Sequence, residues 1–401
     1  MKNIILKTAG VTAILGLLFL IAQTNTSAAQ NKNDDSRKII VFKAGLNDAA
    51  KDAIIERAGG VKLKNLNRIN AKAVYLSSRA MTEALKANPD VARVDDDVIV
   101  EALGYKAEVS GKISTQAAQV LPWGIDRIDA ELVWPGGNTA DSVKVGIIDT
   151  GISNSHPDLA ANVKGGVNTI NPRKSWNDDN GHGSHVAGIV AALNNTVGVV
   201  GVGPKADLYA IKALNTNGSG YLSDIIEGIQ WAVDNQTQVI NMSLGTSSNI
   251  QSFHDAVIAA RNAGVVIVAA AGNSGGSVLF PAAYPEVIAV SAIDQNNVIA
   301  TWSSRGSEVD LAAPGVSIYS SYKGTGYATL SGTSMATPHV TGSVALILGT
   351  SVGEYDANLN GVWDPDEVQK KLQDRAADLG IAGPDALYGW GLVNAYSAAQ
   401  P

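Results

Sequence analysis

The chain contains no cysteine among its 401 residues. That excludes disulfides and a lipid-anchored cysteine, so stability must come from packing or from bound ions. It has no low-complexity run and no internal repeat, which argues for ordinary globular domains. It has no basic excess: 30 Lys and Arg face 37 Asp and Glu, a formal net charge of -7. No basic patch of the kind nucleic-acid binding needs stands out. Long apolar runs are also missing, with one exception near the N-terminus.

That exception, AGVTAILGLLFLIA at residues 9–22, follows Lys2 and Lys7 and precedes the small residues Thr26, Ser27, Ala28 and Ala29. A basic start, a short apolar run and a small-residue exit read as a secretory signal peptide at 1–29, cut after Ala28 or Ala29. The rival reading is an uncleaved anchor, for which the run is short. The expectation is a secreted, extracellular protein with no stable membrane association.

Enough material is present for more than one domain, at 45% hydrophobic and 17% charged residues. Residues 37–100 read as strand RKIIVFK, helix NDAAKDAIIERAG, strands VKLKNLN and AKAVYLS, helix SRAMTEALKANP and a last strand VARVDDDVIV. This β-α-β-β-α-β order predicts a small ferredoxin-like α+β domain at 30–103. Residues 104–117 lack periodicity and read as a linker. From there to 401, apolar runs such as SVKVGIID, ADLYAIKAL, QVINMSL, VVIVAAAG and VIAVSAI alternate with helical stretches. Strands so continuously apolar are buried on both faces. The fold class expected for 118–401 is therefore α/β, a mostly parallel sheet with helices on both faces. The charge is uneven: 30–103 holds 13 basic against 11 acidic residues, and 118–401 holds 13 against 25. Opposite balances favour docking of one part on the other.

Chemistry-bearing residues fall at the carboxyl ends of the strands, where open α/β folds gather their sites. Asp149 ends the run VGIID, and a carboxylate there is costly unless paired. GHGSHVAG at 181–188 holds two of the five histidines, His182 and His185. SGTSMATPHVTG at 331–342 places Ser334 at a glycine-bounded helix start, with Pro338 read into the first turn. Taken singly, each has a plain alternative as a cap, a turn or a core group. Together they supply what acyl transfer by serine needs: a hydroxyl, a base for its proton and a carboxylate to orient the base. Their order along the chain, Asp-His-Ser, differs from two other serine-hydrolase orders, and a GxSxG elbow is absent around Ser334. A zinc pair is disfavoured because the histidines are not spaced i, i+4 with a glutamate between.

The segments IIDTGI, GHGSHVAG and SGTSMATPHVTG resemble the three active-site signatures of the subtilisin-like serine proteases. The likeness covers nearly all of 118–401, and the front domain resembles that family's inhibitory propeptide. One departure is Ser184, where the family usually carries threonine. The resemblance implies a secreted, calcium-dependent endopeptidase of broad specificity, made as an autoprocessed zymogen and acting as a monomer on proteins or peptides. It makes His182 the base and His185 structural; His156, His254 and His339 take structural readings. It makes Asn273, after the run VAAAG, an oxyanion donor together with the Ser334 N–H. Related acid peptidases carry Glu and Asp where this chain has His182 and Asn273.

The same resemblance assigns substrate edges to Gly218, Ser219, Gly220 and to Ser243, Leu244, Gly245, between which a peptide would add as a strand. Ala270, Ala271 and Gly272 would wall the pocket for the residue before the cleaved bond, with Leu279 raising its floor. LNNTVGVVG at 193–201 resembles a calcium loop, implying Leu193, Val197 and Val199 carbonyls, Asn195, Asp158 and Gln119 as ligands. Asp310 with the carbonyls of Ala282, Tyr284 and Val287 resembles a weaker cation site. Independently of the family, DANLNGVWDPDE at 356–367 fits a calcium-loop pattern at every fixed position. Its ligands would be Asp356, Asn358, Asn360, the Val362 carbonyl, Asp364 and Glu367; the alternative is a polar surface insertion. Autocleavage is expected after Leu103, with trimming towards Ala118 or Gln116. The rival classes are a non-catalytic calcium-dependent scaffold of the same fold, and a peptide ligase or esterase on the same machinery.

Overall fold

The computed structural model describes residues 35–104 and 118–401. The expected signal peptide and most of the expected linker lie outside the described residues. The front elements are β1 (Arg37–Phe42), α1 (Asp48–Arg57), β2 (Val61–Leu66), β3 (Ala71–Tyr75), α2 (Arg79–Lys86), β4 (Val91–Asp96) and β5 (Ile99–Ala102). The body begins with α3 (Trp123–Arg127), β6 (Lys144–Asp149), β7 (Val163–Asn168), α4 (His182–Ala191), β8 (Asp207–Lys212), β9 (Ser219–Tyr221) and α5 (Leu222–Asp234). It continues with β10 (Val239–Met242), β11 (Leu244–Gly245), α6 (Gln251–Asn262), β12 (Val266–Ala270), β13 (Ile288–Ile293) and β14 (Leu311–Pro314). It closes with β15 (Ile318–Ser321), β16 (Tyr327–Leu330), α7 (Thr333–Leu348), α8 (Pro365–Asp374) and α9 (Ala395–Ala398).

Strand alternation builds the core. Val145 and Ile147 of β6, with Val266 and Val268 of β12, join one buried cluster with Val186 and Val190 of α4 and Val340 and Val344 of α7. Ile148, Ile267 and Ala269 point to the other face, against Ile225 and Ile229 of α5 and Val257 of α6. Both faces of the sheet are thus covered, as its uninterrupted apolar runs require. The sheet has seven strands in the order β14-β13-β12-β10-β6-β8-β7, paired in parallel. The edge strand β7, VKGGVN, escapes the sequence reading because glycines break its apolar pattern. Among the described residues no helix is long and apolar enough to cross a membrane.

The front domain is the expected antiparallel sheet, order β2-β3-β1-β4. Ile40, Phe42 and Val74 face its own helices through Ile54, Ile55 and Leu85. Ile39, Val41, Ala71 and Ala73 face the other way and share a core with α5 and α6. Ion pairs ring this contact: Lys64 to Asp224 at 2.9 Å and to Glu227 at 2.6 Å, Arg68 to Asp234 at 2.6 Å, and Arg93 to Asp255 at 2.6 Å.

One expectation is corrected here. VARVDDDVIV is not a single strand. It breaks after Asp96, and β5 leaves the front sheet to lie between β9 and β11 of the body. The reason is polar. Helices α5 and α6 begin after Tyr221 and Ile250, neither of them among the short polar residues that usually cap a helix start. Asp97 accepts from Ser223 N at 2.8 Å and Ser223 Oγ at 2.8 Å, and Asp95 accepts from Ser252 N at 3.1 Å and from Ser252 Oγ. The acidic triplet of the front domain caps two helices of the body, and holding Asp97 in that position turns the chain out of its own sheet. The helix read over PDEVQKKLQDRAADL also ends early, at Asp374.

Candidate active site

Three elements of the body converge at the carboxyl end of the parallel sheet. Strand β6 delivers Asp149, the first residue of α4 is His182, and the second residue of α7 is Ser334. All three are buried. His182 Nδ1 lies 2.8 Å and 2.9 Å from the two Asp149 oxygens. A carboxylate only accepts, so Nδ1 carries the proton and Nε2 is the free base. Burial drives the imidazole towards the neutral form, but the adjacent Asp149 carboxylate outweighs it and raises the pKa above the ordinary histidine value. His185 faces carbonyls only: its Nε2 is 3.1 Å from both Ile318 O and Ala328 O. Burial, reinforced by His182, pushes it down to about 3. The two histidines of GHGSH therefore have separate tasks, one poised to take a proton and one pinning the β15–β16 hairpin.

Ser334 Oγ does not touch His182. It donates to the Ser243 carbonyl at 3.0 Å, and His182 Nε2 has no hydrogen-bond partner among the described residues. Pro338 also lies deeper than the sequence reading has it, sixth in α7 and so in the second turn.

Strand β5 fills the cleft in the manner of a substrate. Glu101 pairs with Ser219, Val100 with Gly220 and Ile99 with Tyr221 on one side; Ala102 pairs with Leu244 and Glu101 with Gly245 on the other. Ala102 N donates to Gly218 O at 2.8 Å and Leu103 N to Ser243 O at 3.1 Å. The Leu103 carbonyl then meets Asn273 Nδ2. That amide cannot turn round, because its oxygen accepts from Thr333 N and Thr333 Oγ1, each at 2.9 Å. A Cβ on Gly332 would stand 2.7 Å from the Leu103 oxygen, so this close approach demands glycine. Gly104 follows against the His182 ring, 3.2 Å from Nε2 to where its Cβ would be. Every predicted substrate-edge residue borders this strand or its pocket. Leu279 donates from N to Ala271 O at 2.9 Å, and its side chain stands between Gly245 and Gly272, beside the Leu103 side chain.

Sequence reasoning missed Asp178 and Thr333. Asp178 is buried and accepts from Thr150 Oγ1 at 2.9 Å, Gly181 N at 2.9 Å, Ser184 N at 2.9 Å and Ser184 Oγ at 2.6 Å. It caps α4, which its own glycine N-cap cannot do. That missing cap is the one signal in the sequence that could have pointed to it. Ser184, the departure from the family, keeps the hydroxyl this carboxylate uses.

The carboxylates of all three cation candidates accept hydrogen bonds. Around the 193–201 loop, Gln119 Nε2 donates to Leu193 O at 2.7 Å and Val199 O at 3.2 Å, and Asn195 Nδ2 donates to Asp158 Oδ1 at 3.0 Å. Carbonyl and carboxylate oxygens gather there; Asn195 Oδ1 accepts from Val197 N at 2.7 Å, so it is turning the Gln119 amide that would add an oxygen to the set. These residues fit a hard cation. In the 356–367 loop, Asp356 accepts from Asn360 N at 2.9 Å and Gly361 N at 3.0 Å, and Asp364 Oδ2 gathers the Asn358 and Asn360 amides at 2.6 Å and 2.8 Å. Glu367 closes the loop through Ala357 N at 2.9 Å and Asp364 N at 3.0 Å. The carboxylates of Asp356, Asp364 and Glu367 supply oxygens of the kind calcium favours, while the Asn358 and Asn360 oxygens accept from Asn360 N at 3.0 Å and Val362 N at 2.8 Å. Asp310 is held by hydrogen bonds in the same way as Asp158, which accepts from Val199 N at 2.9 Å and Tyr327 Oη at 2.8 Å. The oxygens of Asp310 accept from Ala289 N at 2.8 Å, and from Gln369 Nε2 at 2.9 Å and Gln373 Nε2 at 3.0 Å on α8.

The raised His182 pKa sets a pH prediction. Catalysis needs the neutral ring, so kcat/KM should fall as pH drops through that pKa. Asp149→Asn removes the group that lifts it, so the acid limb should move to lower pH and kcat should drop roughly 10⁴-fold, as when the orienting carboxylate of a serine protease is neutralised. An acid limb that stays in place would mean another group titrates.

A model of the subtilase family matches residues 140–391. Subtilisin E of Bacillus subtilis (strain 168) is 42% identical over 397 residues, covering 96% of this chain and 97% of that protein, front domain included. The alkaline protease of Shouchella clausii is 44% identical over 319 residues, 79% of this chain and 76% of the relative. Subtilisin Savinase of Lederbergia lenta is 46% identical over 284 residues, 71% of this chain and 100% of the relative. On this similarity the chain belongs to the subtilase family and is a subtilisin-type serine endopeptidase made with a propeptide domain.

Proposed function

We propose that the enzyme is secreted after loss of residues 1–29, matures by cutting itself between Leu103 and Gly104, and is then trimmed through 104–117 to a catalytic domain of 118–401. The observation that carries this reading is the position of the Leu103–Gly104 bond, with the Leu103 carbonyl on Asn273 Nδ2, its N–H on Ser243 and Gly104 beside His182. In the step we infer, Ser334 Oγ adds to the Leu103 carbonyl carbon and its proton passes to His182 Nε2. Asp149 holds the imidazolium through Nδ1–H, and the new oxyanion is held by Asn273 Nδ2 and the Ser334 N–H. His182 then protonates the Gly104 nitrogen, the C–N bond breaks, and water attacks the acyl-enzyme by the same relay in reverse. The hydroxyl must first turn from Ser243 O to His182.

Broad specificity follows from the way the strand is held. The β9 and β11 edges bind backbone, which reads no side chain. Selection is left to the pocket between Gly245 and Gly272, where Leu279 takes up volume and favours a medium apolar residue such as Leu103 over a large aromatic. We infer that proteins and peptides are the substrates, that 30–103 is the inhibitor of the same chain, and that the enzyme works as a monomer without nucleic acid or membrane. Ser334→Ala should leave the precursor folded and full length and abolish casein hydrolysis and phosphonate labelling. Turnover of casein by that variant would sink the triad assignment.

Calcium takes the structural place of disulfides in this reading. Gln119, Asp158, Leu193, Asn195, Val197 and Val199 would hold one ion, and Asp356, Asn358, Asn360, Val362, Asp364 and Glu367 a second. Calcium at about 100 times its Kd stabilises a folded protein by roughly 2.7 kcal/mol per site. The mature enzyme should therefore melt at lower temperature in chelator. Glu367→Ala should remove one increment and Asp158→Ala the other. Equal melting temperatures with calcium and with chelator would refute both sites.

A further inference from the structure

Helix α7 carries Ser334 at its second position and Pro338 at its sixth. A proline has no N–H, so the carbonyl four residues earlier loses its donor within the helix. That carbonyl belongs to Ser334 itself. It is not left bare, because Ser243 Oγ–H donates to it at 2.9 Å. Ser334 answers through its side chain, whose Oγ–H donates to the Ser243 carbonyl at 3.0 Å. The two residues are tied at both ends, and both are 0% exposed, so water cannot stand in for either bond.

The tie is anchored further back. Ser243 Oγ spends its proton on Ser334, so towards Asn241 it can only accept, and Asn241 Nδ2 donates to it at 2.9 Å. This leaves Asn241 Oδ1 to accept from Thr341 Oγ1, also at 2.9 Å. The chain of bonds Thr341–Asn241–Ser243–Ser334 starts and ends on α7 and passes through the β10–β11 edge. The Ser243 carbonyl also accepts the Leu103 N–H at 3.1 Å. One residue thus registers both the hydroxyl that attacks and the peptide that is attacked.

We propose that the Ser243 side chain is a positioning residue: its hydroxyl replaces the N–H that Pro338 withholds and so fixes the height of Ser334 in the cleft. The inference rests on Ser334 being the nucleophile. It makes the proline part of the arrangement, since an ordinary residue at 338 would take the Ser334 carbonyl for the helix and release Ser243.

The test is a rescue. Ser243→Ala, Pro338→Ala and the double variant are expressed as full-length precursors, matured, and counted by phosphonate titration of Ser334. Ser243→Ala is expected to lower kcat about tenfold or more, because a buried carbonyl loses the hydroxyl that donates to it. KM should stay within about twofold, since the backbone carbonyl that holds the peptide remains. Pro338→Ala in the Ser243→Ala background restores an N–H to Ser334 O and should recover most of that loss. If Ser243→Ala fails to mature, the double variant should regain maturation, read by intact mass. Three outcomes overturn the proposal: kcat of Ser243→Ala at the wild-type level, a rise in KM alone, or a double variant no better than Ser243→Ala in rate or maturation. The underlying reading is separable, because hydrolysis by Ser334→Ala would defeat the triad whatever Ser243 does. An inert Ser334→Ala beside a fully active Ser243→Ala would defeat this inference alone.

Discussion

The antiparallel pairing of residues 99–102 between β9 and β11 is the constraint on which the rest of the structure depends. A strand ladder has discrete registers, and a shift of one residue turns every side chain to the other face. In the register adopted, the Leu103 carbonyl reaches Asn273 and Gly104 reaches His182. The two helix caps from Asp95 and Asp97, and the apolar face shared with α5 and α6, hold the front domain where this register is the one available. Docking energy from a wide interface is thereby converted into the position of one peptide bond.

In the function proposed for the front domain, that same placement keeps the precursor quiet. The cleft is filled by the chain's own strand, the hydroxyl of Ser334 is engaged with Ser243, and His182 Nε2 has no hydrogen-bond partner among the described residues. The groups proposed for catalysis are assembled but not all aligned. The Asp149–His182 pair is fixed by burial and a two-oxygen contact, so the movable part is a single serine rotamer. A chain without cysteine has to hold such a site by packing and polar ties, and Asp178, Thr333 and Ser243 each fasten one catalytic element from behind.

Much of this was legible in the sequence because the chemistry is written in short contiguous stretches. Asp149, His182, Asn273 and Ser334 each sit in a run whose small and apolar neighbours are dictated by strand ends and helix starts. The fold followed from periodicity alone, since apolar runs such as QVINMSL must be buried on both faces. What could not be read depended on partners far away in the chain. The break after Asp96 exists because Ser223 and Ser252 need acceptors. Asp178 lay in no motif, and the far partner that fixes it, Thr150, is 28 residues back in the chain. Pro338 was placed in the first turn because the helix start is set by Gly332 and its contacts, not by the proline. The contacts of Asp310 were equally out of reach, since Gln369 and Gln373 on α8 donate to it from 59 and 63 residues away.

The central claim is that the register of β5 selects the first bond to be cut. Mass analysis of the earliest products of the refolded wild-type precursor, sampled within a single turnover, measures this directly. The account predicts that the first new ends are Leu103 and Gly104, with shorter linker pieces only later. A first cut elsewhere in 104–118, or release of 30–103 as a piece lacking Leu103, would contradict it.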